Sequence, residues 1–493
     1  MPASRRRHDR AARGRAHWPG PSRREAEASA SLIEEPGEQD RPQTFHTFAA
    51  GARAALPLLA AALTLALAAC GDGNVKPEAA AQATAQQRWN DGPPPPPLSP
   101  TIPQDVSVPQ ANPDLQDLQD DFDLLSWQSF VAVNWPAGPD GNPNTGATIG
   151  PDVPTVWENW KESREIFLPG GATPPPWGQD TPPPAVCKGL GDATLRLTQV
   201  GKTPNVLDES GEPFETGPLI DQNGQYVRFA ILTNRDMFDN IVANGLYSTA
   251  GQKKFGKPAN FALPKGSPKV GAIMIKSAWK VLGANDNAAR FHTAKALVYT
   301  NPDENEGVQA ACKLQTMGLV GLHIAHKTQS APQWVWSTFE HVDNVPTQGE
   351  PIDKPRYNFF DKNCTTCQVN QPPPRPWNPN NPHTVPTQVM REIPLTDSTK
   401  RLNATYQALL QKNYPGTVWA NYELISTQWP TKANNPIDPT GNPAPSFLAN
   451  ATLETYIQGR VPQASSSCMA CHNNATMNNQ LPSDFTYLLQ RAQ

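Results

Sequence analysis

Met317-Gly318-Leu319-Val320-Gly321-Leu322-His323-Ile324-Ala325-His326-Lys327-Thr328, followed by Trp334-Val335-Trp336-Ser337-Thr338-Phe339-Glu340-His341, is the stretch that decides the fold class. Its two apolar and β-branched runs, Leu319–Ala325 and Trp334–Phe339, read as the two strands of a hairpin. Side chains alternate across a strand, so His323 and His326, three residues apart, fall on opposite faces. Trp334 and Trp336 share a face, where they serve either as core residues or as a platform for a flat ligand. Similar runs lie on both sides of this hairpin. Asn223-Gly224 is a hairpin turn signal with Tyr226–Leu232 as the returning strand, and Val270–Val281, Phe291–Tyr299 and Val418–Trp429 complete the set.

Helical signals sit around these strands. Leu115, Leu118, Phe122 and Leu125 recur at helical spacing from Asp114 onward, with Trp127, Phe130 and Val131 continuing the apolar face. Thr155-Val156-Trp157-Glu158 has the form of a capping box, predicting a short helix with Trp157, Trp160 and Phe167 on one side. Further helical patterns cover Asp397–Leu410, Leu453–Gln458 and Asp484–Gln490. Loops rich in Pro, Gly and Asn separate the elements, as at Thr173–Pro184 and Gln371–Pro382, and no internal repeat is present. The expected class is α+β: a large β-rich body with peripheral helices and a short helical C-terminal segment.

Composition narrows the function. The 493 residues include 55 prolines, and only 17% are charged. Proline is therefore about twice as frequent as in an average protein. With 41 basic and 45 acidic residues the net charge is −4, which offers no basic field for nucleic acid. A mean hydropathy of −0.55 and a single strongly apolar run exclude a multi-span membrane protein.

That run is Ala54–Ala69, with Arg53 before it and Leu67-Ala68-Ala69-Cys70 at its end. The ending resembles the lipobox of bacterial lipoproteins, and the resemblance implies lipidation of Cys70 and a periplasm-facing, membrane-anchored protein. An ordinary secretory signal with a chance cysteine is the alternative. Gly71 after the cysteine resembles the outer-membrane-sorted pattern. Residues 1–50 are polar and far longer than a normal n-region, which places the expected start codon nearer Arg53. Arg23-Arg24 is too distant from the run to act as a twin-arginine signal. Beyond residue 69 the chain carries 31 basic and 38 acidic residues, net −7. Asn74–Pro113, with five consecutive prolines at Pro93–Pro97, reads as an extended tether.

Cys468-Met469-Ala470-Cys471-His472 carries the chemistry. C-x-x-C-H is the attachment signature of c-type haem: two thiols three residues apart reach the two vinyl groups of one haem edge, and the adjacent histidine turns under the iron. Composition alone would produce about 0.002 such matches in a chain like this. A disulfide or a zinc site is the alternative use, although zinc wants four ligands and no second Cys/His pair lies nearby. The motif resembles c-type cytochromes, but the likeness covers only the motif and its flanks. Just 21 residues follow His472, so the preceding body must supply most of the haem pocket. Together with the 317–341 block, it also loosely resembles bacterial exported proteins with a C-terminal haem motif.

The resemblance implies one covalent haem c with His472 as proximal ligand, and leaves the distal ligand open. Met477 is too close in sequence to reach the opposite haem face. The candidates are His323, His326, His341 and Met390. Of the other cysteines, Cys364 and Cys367 form a C-x-x-C followed by Gln368. They are expected to form a local disulfide, with a redox pair or a degenerate haem site as alternatives. An oxidising compartment would also allow Cys187 to pair with Cys312, which spacing does not establish.

The expected organisation is an N-terminal extension and signal segment (1–69), a lipidated cysteine and tether (70–113), a β-rich body (114–450) and an attachment segment packed on it (451–493). Three functions follow as expectations. The first is electron transfer with a periplasmic or membrane redox partner. The second is a haem enzyme, peroxidase- or oxidase-like, with an open distal position and acid–base groups drawn from His323–His341. The third is a non-catalytic haem-based binding or sensing module.

Overall fold

Strand β6 (Ala311–His326) organises the sheet, because its length lets it serve three neighbours. Along residues 317–326 one edge pairs antiparallel with β4 (Ile273–Val281). The other edge pairs first with β5 (Thr293–Thr300), then with β7 (Val335–His341). β3 (Arg228–Thr233) and the short β1 (Lys161–Glu162) extend the sheet beyond β4. β8 (Tyr422–Pro430) and β9 (Pro443–Ala444) extend it beyond β7. β2 (Leu195–Thr198) pairs with β5 and supplies the one parallel ladder among the described residues. The result is a nine-stranded, mostly antiparallel sheet. These relations come from a computed structural model that describes residues 96–193, 195–198, 217–300, 309–374, 385–431, 442–459 and 466–493. All of them belong to one unit, Asp72–Gln493.

The helices lie on the two sheet faces, making the fold α+β. α1 (Leu115–Val133) starts at a capping box in which Asp114 accepts from the Asp117 amide. With α5 (Asp397–Asn413) it covers the face made by Ile275, Leu322, Ile324 and Phe339. Trp127 stacks on Tyr406 at 4.9 Å and meets Phe339 edge-on at 5.2 Å. Each such fully buried aromatic contributes about 1.5–3 kcal/mol in transfer free energy. The serine in this layer is also satisfied: the Ser126 hydroxyl lies 2.6 Å from those of both Ser337 and Thr427.

The opposite face carries α3 (Arg235–Ala243), α4 (Thr249–Phe255) and the C-terminal segment. Buried Gln252 of α4 fastens that segment, donating to the Leu489 carbonyl while its own oxygen accepts from the Asn478 amide. Near the rim of the first layer, His292 is fully buried between two carboxylates. Its Nδ1 is 2.7 Å from Asp152 and its Nε2 3.1 Å from Glu158.

Several expectations need correction. Residues 96–113 are not a free tether: Leu98, Ile102 and Val106 pack into the apolar clusters, and Asp105 accepts from the Ser330 amide. The four-residue spacing of those side chains gives a proline-rich strand of chain one sticky edge. The helix expected after Thr155 breaks up. Glu158 does reach back to the Thr155 amide, but only a 3-10 turn (Trp157–Asn159), β1 and the single turn α2 (Ser163–Ile166) follow. Asp484–Gln490 is not one helix either. Asp484 and Phe485 have φ of 55° and 64°, so the chain turns sharply before a 3-10 helix at Tyr487–Arg491. Leu453–Gln458 likewise shrinks to the 3-10 turn Thr455–Ile457. Cys70 and the Ala54–Ala69 run lie outside the described residues. Among the described residues no helix is long and apolar enough to cross a membrane.

Candidate functional site

Cys468–His472 forms a short helix, α6, on the sheet face opposite α1. Ser467 caps it by accepting from the Ala470 amide, and Gln428 of β8 accepts from the Met469 amide at 2.8 Å and from the Ser467 hydroxyl at 3.2 Å. Met469, buried, packs down into the cluster with Trp336 and Phe485. Helical spacing then brings Cys468, Cys471 and His472, at i, i+3 and i+4, onto a common face. All three are only partly buried.

His472 is held by a single directed bond. Its Nδ1 lies 2.7 Å from the Phe485 carbonyl oxygen and donates to it, which leaves the Nε2 lone pair free. The Trp336 ring sits 4.4 Å from the imidazole and Tyr487 5.4 Å from it, while the Tyr487 hydroxyl donates to the Cys471 carbonyl. Burial pushes His472 down to about 4, so at neutral pH the ring is uncharged and its Nε2 is available as a donor. Burial pushes the Cys468 and Cys471 thiols up. Both thiols are unpaired, whereas Cys187 is bonded to Cys312 and Cys364 to Cys367.

The sheet beneath α6 presents two cross-strand rows. The first is Met274, Ala325, Trp336 and Gln428; the second, two residues further along each strand, is Lys276, His323, Thr338 and Ser426. Glu454, from the 450–454 turn, stands over the second row with its carboxylate 3.3 Å from His323 Nε2. Asn450 of the same turn donates to Thr338. The charges of Glu454 and Lys276 act on both Cys471 and His472, and the charge of Glu454 also on Cys468, so this polar row faces α6.

The structure thus brings Cys468, Cys471, His472 and His323 together and separates the other candidates from them. His326 points to the α1 face, where its Nε2 meets the Val270 carbonyl at 2.8 Å. His341 ends β7, fully buried between Phe291, on which it stacks at 4.3 Å, and Tyr422, and it is bonded to the Arg290 carbonyl. Both are buried and bonded to backbone carbonyls away from α6. Met390 sits in a loop tied by Asn370 and Gln458, and joins neither apolar cluster packed around α6. Trp334 is the turn residue before β7, with φ of 70°, and its indole nitrogen donates to the Asp484 carbonyl.

These features fit a covalently held haem. Two free thiols flank one imidazole whose tautomer is fixed by a backbone carbonyl, the arrangement that orients a metal-ligating histidine. Among the described residues no group of three or more His, Cys, Asp or Glu forms a ready-made metal cage. Gln428, Tyr487, Glu454 and Lys276 are not legible in the sequence as site residues, and Phe485, expected there as an apolar contact, acts through its carbonyl. Gln428 and Glu454 carry no local motif, and the Phe485 contribution is a backbone atom. No protein-family model matches the chain, and no curated protein or solved structure matches it significantly.

Proposed function

We propose that this chain is a periplasm-facing, lipid-anchored monohaem c-type cytochrome that transfers electrons between redox partners. The observation that carries the reading is the Nδ1 bond from His472 to the Phe485 carbonyl, beside the unpaired Cys468 and Cys471 on one helical turn. When bound, haem supplies a one-electron iron couple. The residues do the rest. Cys468 and Cys471 anchor the macrocycle, and His472 offers Nε2 to the iron. Phe485 holds the tautomer, and Trp336 and Met469 fix the helix on a rigid sheet so that little moves on oxidation or reduction. Cys70 supplies the anchor.

The test is the pyridine haemochrome spectrum of full-length protein from a host with haem-c maturation. A c-type spectrum that survives denaturation is expected, and it should vanish in Cys468→Ser/Cys471→Ser. Haem that stays bound through denaturation in that double variant would overturn covalent attachment. For the anchor, Cys70→Ser should release the protein from membranes; continued membrane association would count against lipidation. A haem enzyme is the second reading, favoured by the His323–Glu454 pair, whose imidazole and carboxylate resemble an acid–base couple. High-spin iron that reacts with peroxide would favour it.

A further inference from the structure

We infer that His323 is the second axial donor to the iron, presented from the sheet opposite His472 and positioned by Glu454; this rests on the haem reading above. In His472, Nδ1 is occupied by the Phe485 carbonyl and Nε2 has no partner among the described residues. His323 differs: its Nε2 stands 3.3 Å from the Glu454 carboxylate as an ion-pair contact without an aligned hydrogen bond, and Nδ1 has no partner among the described residues. His472 is therefore pinned by an acceptor behind its ring, as a metal-ligating histidine is, and His323 stands beside a carboxylate with neither ring nitrogen spent on a hydrogen bond, so each imidazole has a lone pair to offer. Either ring nitrogen of a neutral imidazole can serve as the ligand.

Position supports the pairing. His323 lies in the polar row next to the Trp336 row on which His472 rests, and the two histidines are close enough to act on each other electrostatically. Its side chain is 16% exposed, so it borders an opening instead of being sealed in the core. The neighbours in that row are committed elsewhere. Lys276 leans over the Phe229 ring at 5.0 Å, and Thr338 accepts from Asn450. The methionines on this face are also engaged: Met274 sulfur accepts from the Thr486 hydroxyl, on the Nδ1 side of His472, while Met469 and Met477 are buried in the cluster. Glu454 is itself anchored, accepting from the Asn450 amide at 3.0 Å, which makes it a fixed point for His323.

The test uses full-length, haem-loaded protein, with covalent haem content read by pyridine haemochrome and coordination read by visible and electron paramagnetic resonance spectra. Wild type is expected to be low-spin, six-coordinate and unreactive toward carbon monoxide. His323→Ala should keep its covalent haem, become high-spin and bind carbon monoxide, and added imidazole should restore the low-spin spectrum. His323→Met should remain six-coordinate with a changed charge-transfer band, which guards against mere misfolding of the alanine variant. Glu454→Gln should stay low-spin but shift the midpoint potential upward, because a neutral amide withdraws less proton density from the ring than a carboxylate does. His326→Ala and His341→Ala should leave coordination unchanged.

If His323→Ala retains covalent haem and the wild-type low-spin spectrum, the axial assignment is overturned while the haem reading stands. The assignment falls equally if wild type is high-spin, or if His326→Ala or His341→Ala loses the low-spin state. Wild-type protein with no covalent haem would overturn both.

Discussion

Asp484→Asn is the most informative single substitution, because Asp484 ties the sheet to the turn that aims His472. Its carboxylate meets Lys327, with one N–O distance of 2.7 Å, and both side chains are fully buried. The same carboxylate accepts from the Phe261 amide at 2.6 Å, and the next residue, Phe485, holds the imidazole. Burial pushes the Asp484 carboxyl up and the Lys327 ammonium down, each opposed by its partner. Asparagine preserves the shape but removes the carboxylate charge beside the buried ammonium, which lies 5.6 Å from the Trp334 ring centroid.

Removing one member of a buried pair costs about 3–5 kcal/mol, because the other charge is left uncompensated. The assay is urea unfolding of the full chain at neutral pH, followed by tryptophan fluorescence, with the midpoint falling and the slope unchanged. The double variant Lys327→Met/Asp484→Asn should recover most of the loss, since a neutral pair needs no counter-charge. The deficit of Asp484→Asn should also narrow as pH rises, because a neutral amine is cheaper to bury. A single variant that loses less than about 1 kcal/mol, or a double variant no better than the single, would refute the reasoning.

Other expectations follow from the same structure. Burial pulls His292 down, but Glu158 and Asp152 outweigh it and hold the imidazole at about 9, above the usual 6.5. A raised folded-state pKa gives stability that is complete below pH 6.5 and is lost as pH climbs through about 9, on the order of 3 kcal/mol. Denaturant titrations from pH 6 to 10 should show that slope, and His292→Gln should flatten it; an unchanged slope in the variant would assign it elsewhere. Gly321→Ala places a methyl 2.3 Å from the Thr452 hydroxyl, so the 450–454 turn must lift. It should destabilise by about 1–3 kcal/mol and disturb the haem spectrum through Glu454; a spectrum and stability equal to wild type would show that the turn yields freely. Gln428→Leu removes the acceptor for the Met469 amide and the Ser467 hydroxyl. A loss of about 1–3 kcal/mol and slower haem incorporation are expected, and neither would occur if water replaces it without penalty.

Much of the fold was legible, for reasons visible in particular elements. α1 and α5 follow the apolar periodicity of Asp114–Val131 and Asp397–Leu410 almost to their ends. The strands were found because their runs are short, apolar and bounded by loops. β6 extends further toward its N-terminus than Leu319–Ala325 because polar residues there are fixed by pairing with β5. α3 and α4 were not anticipated, although Asn234 and Ser248 cap them and Gly256 closes the second in the left-handed region. Their apolar content is too small to announce a face. The 484–490 segment looked helical because its apolar spacing is right, but the Lys327–Asp484 pair overrides it with left-handed backbone at Asp484 and Phe485. At the site, C-x-x-C-H was plain in the sequence. The choice of His323 over His326 was not, since alternation separates two faces without saying which one faces α6.

The alternation along β7 has a consequence of its own. Trp336, Thr338 and Glu340 look toward α6 and the 450–454 turn, whereas Val335, Ser337 and Phe339 are built into the layer under α1. Neighbouring codons of one strand therefore answer to different demands. Neither side is free to vary: Trp336 and Thr338 are buried against the C-terminal segment and the 450–454 turn, and Glu340 is buried in an ion pair with Arg391. One ribbon thus solves two packing problems at once, one answered by α1 and the other by α6 and the 450–454 turn.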